Sequence, residues 1–146
     1  MHARAGLGGK CCANKDWVGE DGRKCLVRVM EIRNREKQEP FTTKDGSTIT
    51  SLLDSANAPV RNQSLAEARI PAGGSTQRHY HMDSEEFYYL LSGSGRMEID
   101  GETRMVGSGD AILIPAGAWH QITAEEELVF LCCCAPPYRH EDTFFE

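Results

Sequence analysis

Short apolar segments in which hydrophobic and polar residues often alternate make up most of the chain from residue 25 onward. An alternation with a period of two is typical of strands that are buried on one face. The pairs Asp45-Gly46 and Asp100-Gly101 fall inside two of these segments, and such pairs favour the tight turn of a β-hairpin. The pattern predicts strands in residues 25–32, 41–53 (a hairpin), 64–70, 77–81, 86–91, 95–106 (a hairpin), 111–114, 119–124 and 128–134. The predicted fold class is therefore all-β.

Composition agrees with a single domain rich in turns. The chain has 146 residues, a length that is enough to bury a hydrophobic core. It includes 14 glycines and 6 prolines, which are common in turns. The net charge of −6 argues against nucleic acid or an anionic membrane surface as a partner, because both require a basic face. The sequence has no apolar segment of transmembrane length and no signal-peptide pattern at its start. We expect a cytoplasmic protein.

Three of the five histidines lie in a pattern that predicts a metal site. His79 and His81 are two residues apart in a predicted strand, so their side chains share a face. A turn follows, and Glu86 then begins the returning strand, while His120 begins a later strand after a Pro-Ala-Gly turn. Imidazole and carboxylate together suit Mn, Fe, Ni, Cu or Zn. Four protein ligands would leave coordination positions for water or a substrate.

These residues resemble the two sequence motifs of the cupin family. The first motif, G-x5-H-x-H-x4-E-x6-G, is matched by Gly73, His79, His81, Glu86 and Gly93. The second is matched by Gly109, Pro115, Gly117 and His120, with Ala124 where the family has asparagine. The resemblance implies a double-stranded β-helix, the jelly-roll cupin barrel, with one divalent metal inside it, Mn or Fe foremost and Ni, Zn or Cu as alternatives.

The resemblance also predicts how the chain is organised. Residues 1–33 are expected to form an N-terminal extension with a possible added strand, and residues 34–135 the cupin barrel, with its core at about residues 60–134. The tail, residues 136–146, is expected to pack across the barrel or a partner subunit. Since small cupins usually dimerise, a homodimer is expected.

Side chains alternate between the two faces of a strand, and this strand parity predicts which other side chains face the site. Gln77 shares a face with the two histidines, and Tyr88 shares a face with Glu86, so both are candidate pocket residues that could contact a substrate. A packed core aromatic is the alternative for Tyr88. Glu85 is an alternative ligand, but parity and the spacing to the next motif glycine favour Glu86. His140, in the charged tail, is expected at the surface.

Six cysteines occur in two groups. Cys11, Cys12 and Cys25 lie near the N-terminus, and the consecutive residues 132–134 end a predicted buried strand. The spacing is not that of a zinc or thioredoxin-like motif. We interpret the second group as small hydrophobic residues of the core, with a redox or ligand role as the alternative. On a strand, Cys132 and Cys134 share a face and Cys133 takes the other, so either set could line a cavity.

Two functions remain open from sequence. In the first, a divalent metal binds a small molecule through adjacent oxygens and acts as a Lewis acid or brings dioxygen to it, as in dioxygenase-, isomerase- or lyase-like enzymes. In the second, the chain is a non-catalytic barrel that binds or senses a small ligand and keeps a structural metal. The complete ligand set favours the enzyme, although fold alone does not choose between the two.

Overall fold

The predicted strands form two antiparallel sheets in a computed structural model that describes residues 30–146. Within that range the structure has eleven strands: β1 (Phe41–Thr42), β2 (Thr48–Leu53), β3 (Ser64–Ile70), β4 (His79–His81), β5 (Glu85–Ser92), β6 (Ser94–Ile99), β7 (Glu102–Gly107), β8 (Ala111–Ile114), β9 (His120–Ala124), β10 (Leu128–Ala135) and β11 (Thr143–Phe145). The six-stranded sheet has the order β1-β2-β3-β10-β5-β8, and the five-stranded sheet has the order β11-β4-β9-β6-β7. The all-β, double-sheet prediction is confirmed.

Both Asp-Gly pairs lie in hairpin turns, as predicted. Asp100 and Gly101 connect β6 to β7 and have φ angles of 48° and 87°, the left-handed conformation that a two-residue hairpin loop needs at both positions. Asp45 and Gly46 lie between β1 and β2, where the N–H of Thr43 donates to the carbonyl of Ser47 at 3.0 Å. These turns fix the register of the strands that flank them.

The hydrophobic core lies between the two sheets. Along β5, buried and exposed residues alternate strictly from Glu85 to Leu90, as expected for a strand with one covered face. Leu90, Phe130 and Leu128 on one sheet and Ile122 and Met97 on the other are almost completely buried in one cluster. Because the buried face of β5 continues from this cluster to Glu86, the core and the candidate site share the same wall.

The C-terminal tail is part of the second sheet. Strand β11 pairs antiparallel with β4, so that Thr143 lies opposite His81. The buried carboxylate of Asp142 accepts hydrogen bonds from the N–H of Asp83 at 2.9 Å and from the hydroxyl of Ser84 at 2.8 Å. The tail thus packs on the sheet that carries His79, His81 and His120.

The predicted strand at residues 25–32 lies mostly outside the described residues, and residues 30–32 have no regular secondary structure. Cys11, Cys12 and Cys25 also lie outside them. Residues 33–146 form one compact unit, with short 3-10 helices at Arg35–Lys37 and His140–Asp142. In the part of the chain that the structure describes, no helix has the length and apolar character needed to cross a membrane.

Candidate metal centre

Four side chains from three strands meet inside the fold. Strand β4 carries His79 and His81, β5 carries Glu86 and β9 carries His120, and one possible ligand atom from each lies within 4.8 Å of the others. The pairing of β4 with β9 sets His79 directly opposite His120. None of the four residues is more than 5% exposed. The structure therefore brings together the four residues that the sequence spacing selected.

The alternation of β5 decides between the two adjacent glutamates. Glu86 is buried among the histidines, whereas Glu85 is exposed on the opposite face. A buried carboxylate is stable only with partners, and two histidines lie beside Glu86. Its Oε2 atom lies 3.3 Å from Nε2 of His81 and 3.5 Å from Nε2 of His120.

Each of the three imidazoles is held through its Nδ1 atom. Nδ1 of His79 donates to the carbonyl of Gln77 at 2.7 Å, and Nδ1 of His120 donates to the carbonyl of Ala118 at 3.0 Å. A carbonyl only accepts, so these contacts place the proton on Nδ1 and leave Nε2 with its lone pair. Nδ1 of His81 lies 3.1 Å from the hydroxyl of Thr143 on β11.

Two buried atoms at the centre of the cluster have no hydrogen-bond partner among the described residues: Oε2 of Glu86 and Nε2 of His120. Buried polar atoms are almost always satisfied, so two such atoms side by side indicate that something else is bound between them. Both are ligand atoms for a transition metal. The residues present therefore fit a metal ion.

The electrostatics keep the donor groups in the forms that bind metals. Burial, followed by the charge of His120, lowers the pKa of His79 to about 4, so its imidazole is neutral at pH 7. Burial would raise the pKa of Glu86, but the adjacent imidazoles of His120 and His81 outweigh it and hold that pKa below its usual range. A neutral imidazole and an ionised carboxylate both offer lone pairs at neutral pH.

A cavity of about 100 Å³ opens beside the cluster. Strands β2, β3, β5 and β10 contribute its walls, which are mainly apolar, and Phe130 and Phe145 are among them. Tyr88 also lines it and is only 3% exposed, with its ring 6.3 Å from that of His120 between centroids. Burial raises the pKa of Tyr88 well above its usual range, so the phenol keeps its proton. Tyr88 thus lies where strand parity predicts.

Gln77 does not line this cavity, which corrects the prediction made for it. Strand β4 begins only at His79, so the alternation of side chains does not extend back to Gln77. The exposed side chain of Gln77 instead donates to the carbonyl of Glu146 at 3.3 Å. The preceding residue, Thr76, is buried and lines the cavity.

The cysteines of β10 separate by face. Cys132 and Cys134 line the cavity, and Cys133 does not. Burial raises the pKa values of Cys132 and Cys134 well above the usual thiol range, so both are neutral thiols. Cys134 also donates to Oε1 of Glu86 at 3.4 Å. Their position agrees with the core interpretation, but Cys134 additionally contacts a residue of the cluster.

The sequence interpretation missed Thr143 and Thr76, and it did not connect Cys134 to Glu86. Thr143 and Cys134 touch the cluster only because distant strands pair beside it, and a threonine or a cysteine in a strand carries no local signal of such a contact. His140, by contrast, is exposed in the tail, as expected.

An all-β, double-sheet fold with three histidines and one glutamate buried beside a cavity defines a small cupin-type protein. A family model described as a cupin domain matches residues 66–134. An uncharacterized protein of Methanocaldococcus jannaschii is 46% identical over 110 residues, which span 74% of this chain and 88% of that protein. The chain belongs to the cupin superfamily.

One further relative and one solved structure of similar fold have descriptions that mention a ligand. The oxalate-binding protein of Thermotoga maritima is 26% identical over 114 residues, spanning 77% of this chain and 94% of that protein. A structure of Streptomyces Pac13 with uridine superimposes with a TM-score of 0.69 at 19% identity, over 81% of this chain and 92% of that one. At that identity the second likeness supports the fold alone.

Proposed function

We propose that this cupin is an enzyme that holds one divalent transition metal with His79, His81, Glu86 and His120 and acts on a small molecule. The observation that carries the proposal is the pair of buried, unpartnered ligand atoms, Oε2 of Glu86 and Nε2 of His120, at the centre of the cluster. Buried atoms without partners destabilise a protein, and a bound cation would satisfy both.

The donor set favours Mn or Fe, with Ni, Zn or Cu as alternatives. Three imidazoles suit all of these ions, while one carboxylate adds a harder, charged donor. Such a metal, when bound, supplies Lewis acidity toward substrate oxygens and, for Fe or Mn, access to oxygen chemistry. The reaction would be of the dioxygenase, isomerase or lyase kind.

The cavity favours a compact molecule with an apolar body. Its walls are mainly apolar, and among the described residues that line it Lys44 is the only lysine or arginine. Lys44 is exposed at the cavity, and Asp45 and Asp54 also line it. A highly charged anion such as a sugar phosphate would therefore meet little complementary charge. The likeness to an oxalate-binding protein supports a small molecule in general.

Within this proposal the chain's own residues have distinct tasks. The carbonyls of Gln77 and Ala118 orient two imidazoles, and the apolar walls exclude water. The phenol of Tyr88 lies against the cavity with its proton retained, so it would donate a hydrogen bond or a proton to a substrate oxygen.

The second candidate function is a non-catalytic barrel that binds or senses a small ligand and keeps a structural metal. The observation that favours it is the likeness to an oxalate-binding protein, which aligns over 94% of its length. Both functions require the same metal cluster, so they differ only in turnover.

Elemental analysis of the purified protein tests the metal. We expect about one equivalent of a transition metal per chain, retained in the His140→Ala variant and lost in His120→Ala. His140 is the matched control, since it is an exposed histidine outside the cluster. A wild-type protein that binds none of the five metals with useful affinity would refute the proposal.

Turnover then separates the two functions. Metal-stripped protein is assayed with keto acids and diketones, with and without dioxygen, before and after adding Fe or Mn. Activity that returns only with the metal supports the enzyme. A metal-loaded protein that binds these compounds without converting them supports the binding barrel.

We also propose that the protein is a homodimer. The outer face of the six-stranded sheet carries the exposed apolar side chains of Phe87, Tyr89 and Leu113, which are 48%, 46% and 53% exposed. Phe87 and Leu113 lie opposite each other on β5 and β8, so the patch is continuous. A contiguous exposed apolar patch is typical of a protein–protein interface.

A further inference from the structure

The two carboxylate oxygens of Glu86 have different surroundings. Oε2 points toward His81 and His120 and has no hydrogen-bond partner among the described residues. Oε1 points toward β10, where the thiol of Cys134 donates to it at 3.4 Å. One oxygen is thus free for a ligand, while the other is occupied by a protein donor.

The contact with Cys134 follows from strand pairing. Cys134 lies directly opposite Glu86 in the pairing of β10 with β5, and directly opposite Ser64 in the pairing of β10 with β3. The Oγ atom of Ser64 accepts from the N–H of Tyr138 at 2.9 Å. The row Ser64–Cys134–Glu86 therefore crosses three strands, and it places the thiol beside the carboxylate.

A donor is required at this position. An ionised carboxylate can only accept hydrogen bonds, and Glu86 is 5% exposed, so water has little access to it. Cys134 is buried as well, at 3% exposed. Without the thiol, Oε1 would be a buried acceptor without a partner, and the carboxylate would be expected to rotate or to pair with both oxygens elsewhere.

We propose that Cys134 is a positioning residue, which holds Oε1 of Glu86 against β10 so that the carboxylate presents Oε2 alone to the ligand-binding space between the imidazoles. This inference rests on the proposed metal site, because the task of Cys134 is to set how Glu86 coordinates. Cys134 itself is not among the residues whose ligand atoms meet in the cluster.

Metal affinity, measured by competition with a chelator using Co²⁺ and Mn²⁺ as probes, tests the inference. We expect Cys134→Ala to bind both ions about 10- to 100-fold more weakly than wild type, with a changed Co²⁺ visible spectrum. Cys134→Ser keeps a donor and should restore most of the affinity. Cys133→Ala is the control, since Cys133 is the adjacent cysteine of β10 but does not line the cavity, so this variant should leave Co²⁺ affinity unchanged.

Three results would overturn the inference. The first is a folded Cys134→Ala protein with wild-type affinity and spectrum. The second is a serine variant as weak as the alanine variant. The third is a thiolate-to-cobalt absorption band in wild type that both variants lose, which would make Cys134 a ligand. Circular dichroism checks the fold of each variant.

A metal-free measurement separates this inference from the proposed function. The infrared S–H stretching band of Cys134, identified by its loss in Cys134→Ala, should shift in Glu86→Gln, because an amide accepts a hydrogen bond less strongly than a carboxylate. An unshifted band would overturn the contact even if wild type binds metal. If wild type binds no metal but the band shifts, the proposed function fails and the contact stands.

Discussion

Each of the three imidazoles of the cluster contacts an oxygen atom through Nδ1, and these oxygen atoms come from different parts of the chain. His79 and His120 donate to carbonyls two residues earlier, at Gln77 and Ala118, so their orientation is a local property of each strand entrance. His81 instead contacts the hydroxyl of Thr143, sixty-two positions later in the sequence. The orientation of that one ring depends on the docking of the tail.

Tyr88 is the side chain with which we test the role of the cavity. In Tyr88→Phe we expect metal content to stay unchanged, because the phenol is not among the cluster atoms, and turnover to fall about 10²-fold through loss of a proton or hydrogen-bond donor. The measurement is steady-state kinetics at matched metal occupancy. Tyr80→Phe is the control, since Tyr80 packs on Trp119 on the other face of β4. Equal rates for both variants would leave Tyr88 as a core aromatic.

Two glycines of the sequence motifs lie in turns at the ends of strands, and they differ in what an added side chain would meet. Gly93, between β5 and β6, has a φ of 85°, and an added Cβ would lie 2.0 Å from the carbonyl oxygen of Glu127. Gly109, before β8, has a φ of 94°, but an added Cβ would meet nothing within 4 Å. A non-glycine residue would be strained by the positive φ at both positions, but only at Gly93 would its Cβ also overlap with a neighbouring atom.

We therefore expect Gly109→Ala to lower the free energy of unfolding by about 1–2 kcal/mol, the cost of a left-handed non-glycine residue. Gly93→Ala should cost about 1–3 kcal/mol more, because the backbone around Glu127 must move. Urea unfolding of both variants measures the difference. Equal losses would show that the clash is relieved without cost.

The junction between the tail and the turn after β4 depends on Asp142. Burial would raise the pKa of Asp142, but hydrogen bonds from the Ser84 hydroxyl and from backbone N–H groups outweigh it and lower that pKa. Because the folded pKa is the lower one, the unfolded chain takes up the proton first as the pH falls. The stabilisation is present above the ordinary aspartate pKa of about 4 and is lost below it.

We expect Asp142→Asn to lower the free energy of unfolding at pH 7 by about 1–3 kcal/mol, since an amide cannot accept all of these hydrogen bonds. The difference from wild type should shrink as the pH is lowered below about 4. Thermal unfolding across this pH range measures it, with Glu141→Gln, an exposed neighbour, as the control. A difference that does not vary with pH would contradict the assignment to the carboxylate.

The proposed homodimer is the feature that concerns the whole molecule. If the apolar face of β5 and β8 is the dimer interface, Phe87→Lys should produce a monomer, because a lysine cannot be buried there without a partner. Light scattering at micromolar concentration measures the mass. Met105→Lys is the control, since Met105 is equally apolar, 59% exposed and on β7 at the far edge of the other sheet. A wild-type monomer would refute the dimer.

Most of the strands, both Asp-Gly hairpins and the four residues of the cluster were predictable because each is encoded locally. Alternation with a period of two marks the buried face of β5 and selects Glu86 over Glu85, and the left-handed residues Asp100 and Gly101 suit a two-residue turn. This reasoning fails beyond the end of a strand, where side chains no longer alternate between two faces. Gln77 lies before β4 begins, so parity failed there and Thr76 faces the cavity instead.

The remaining features depend on which distant strands lie side by side. Cys134 meets Glu86 across forty-eight positions, and Thr143 meets His81 across sixty-two, through the pairing of β10 with β5 and of β11 with β4. Local patterns establish that a residue faces inward but not which inward-facing residue of another strand lies opposite it. That register results from burying both sheets around one core, and it decides how the donor atoms of this cupin are oriented.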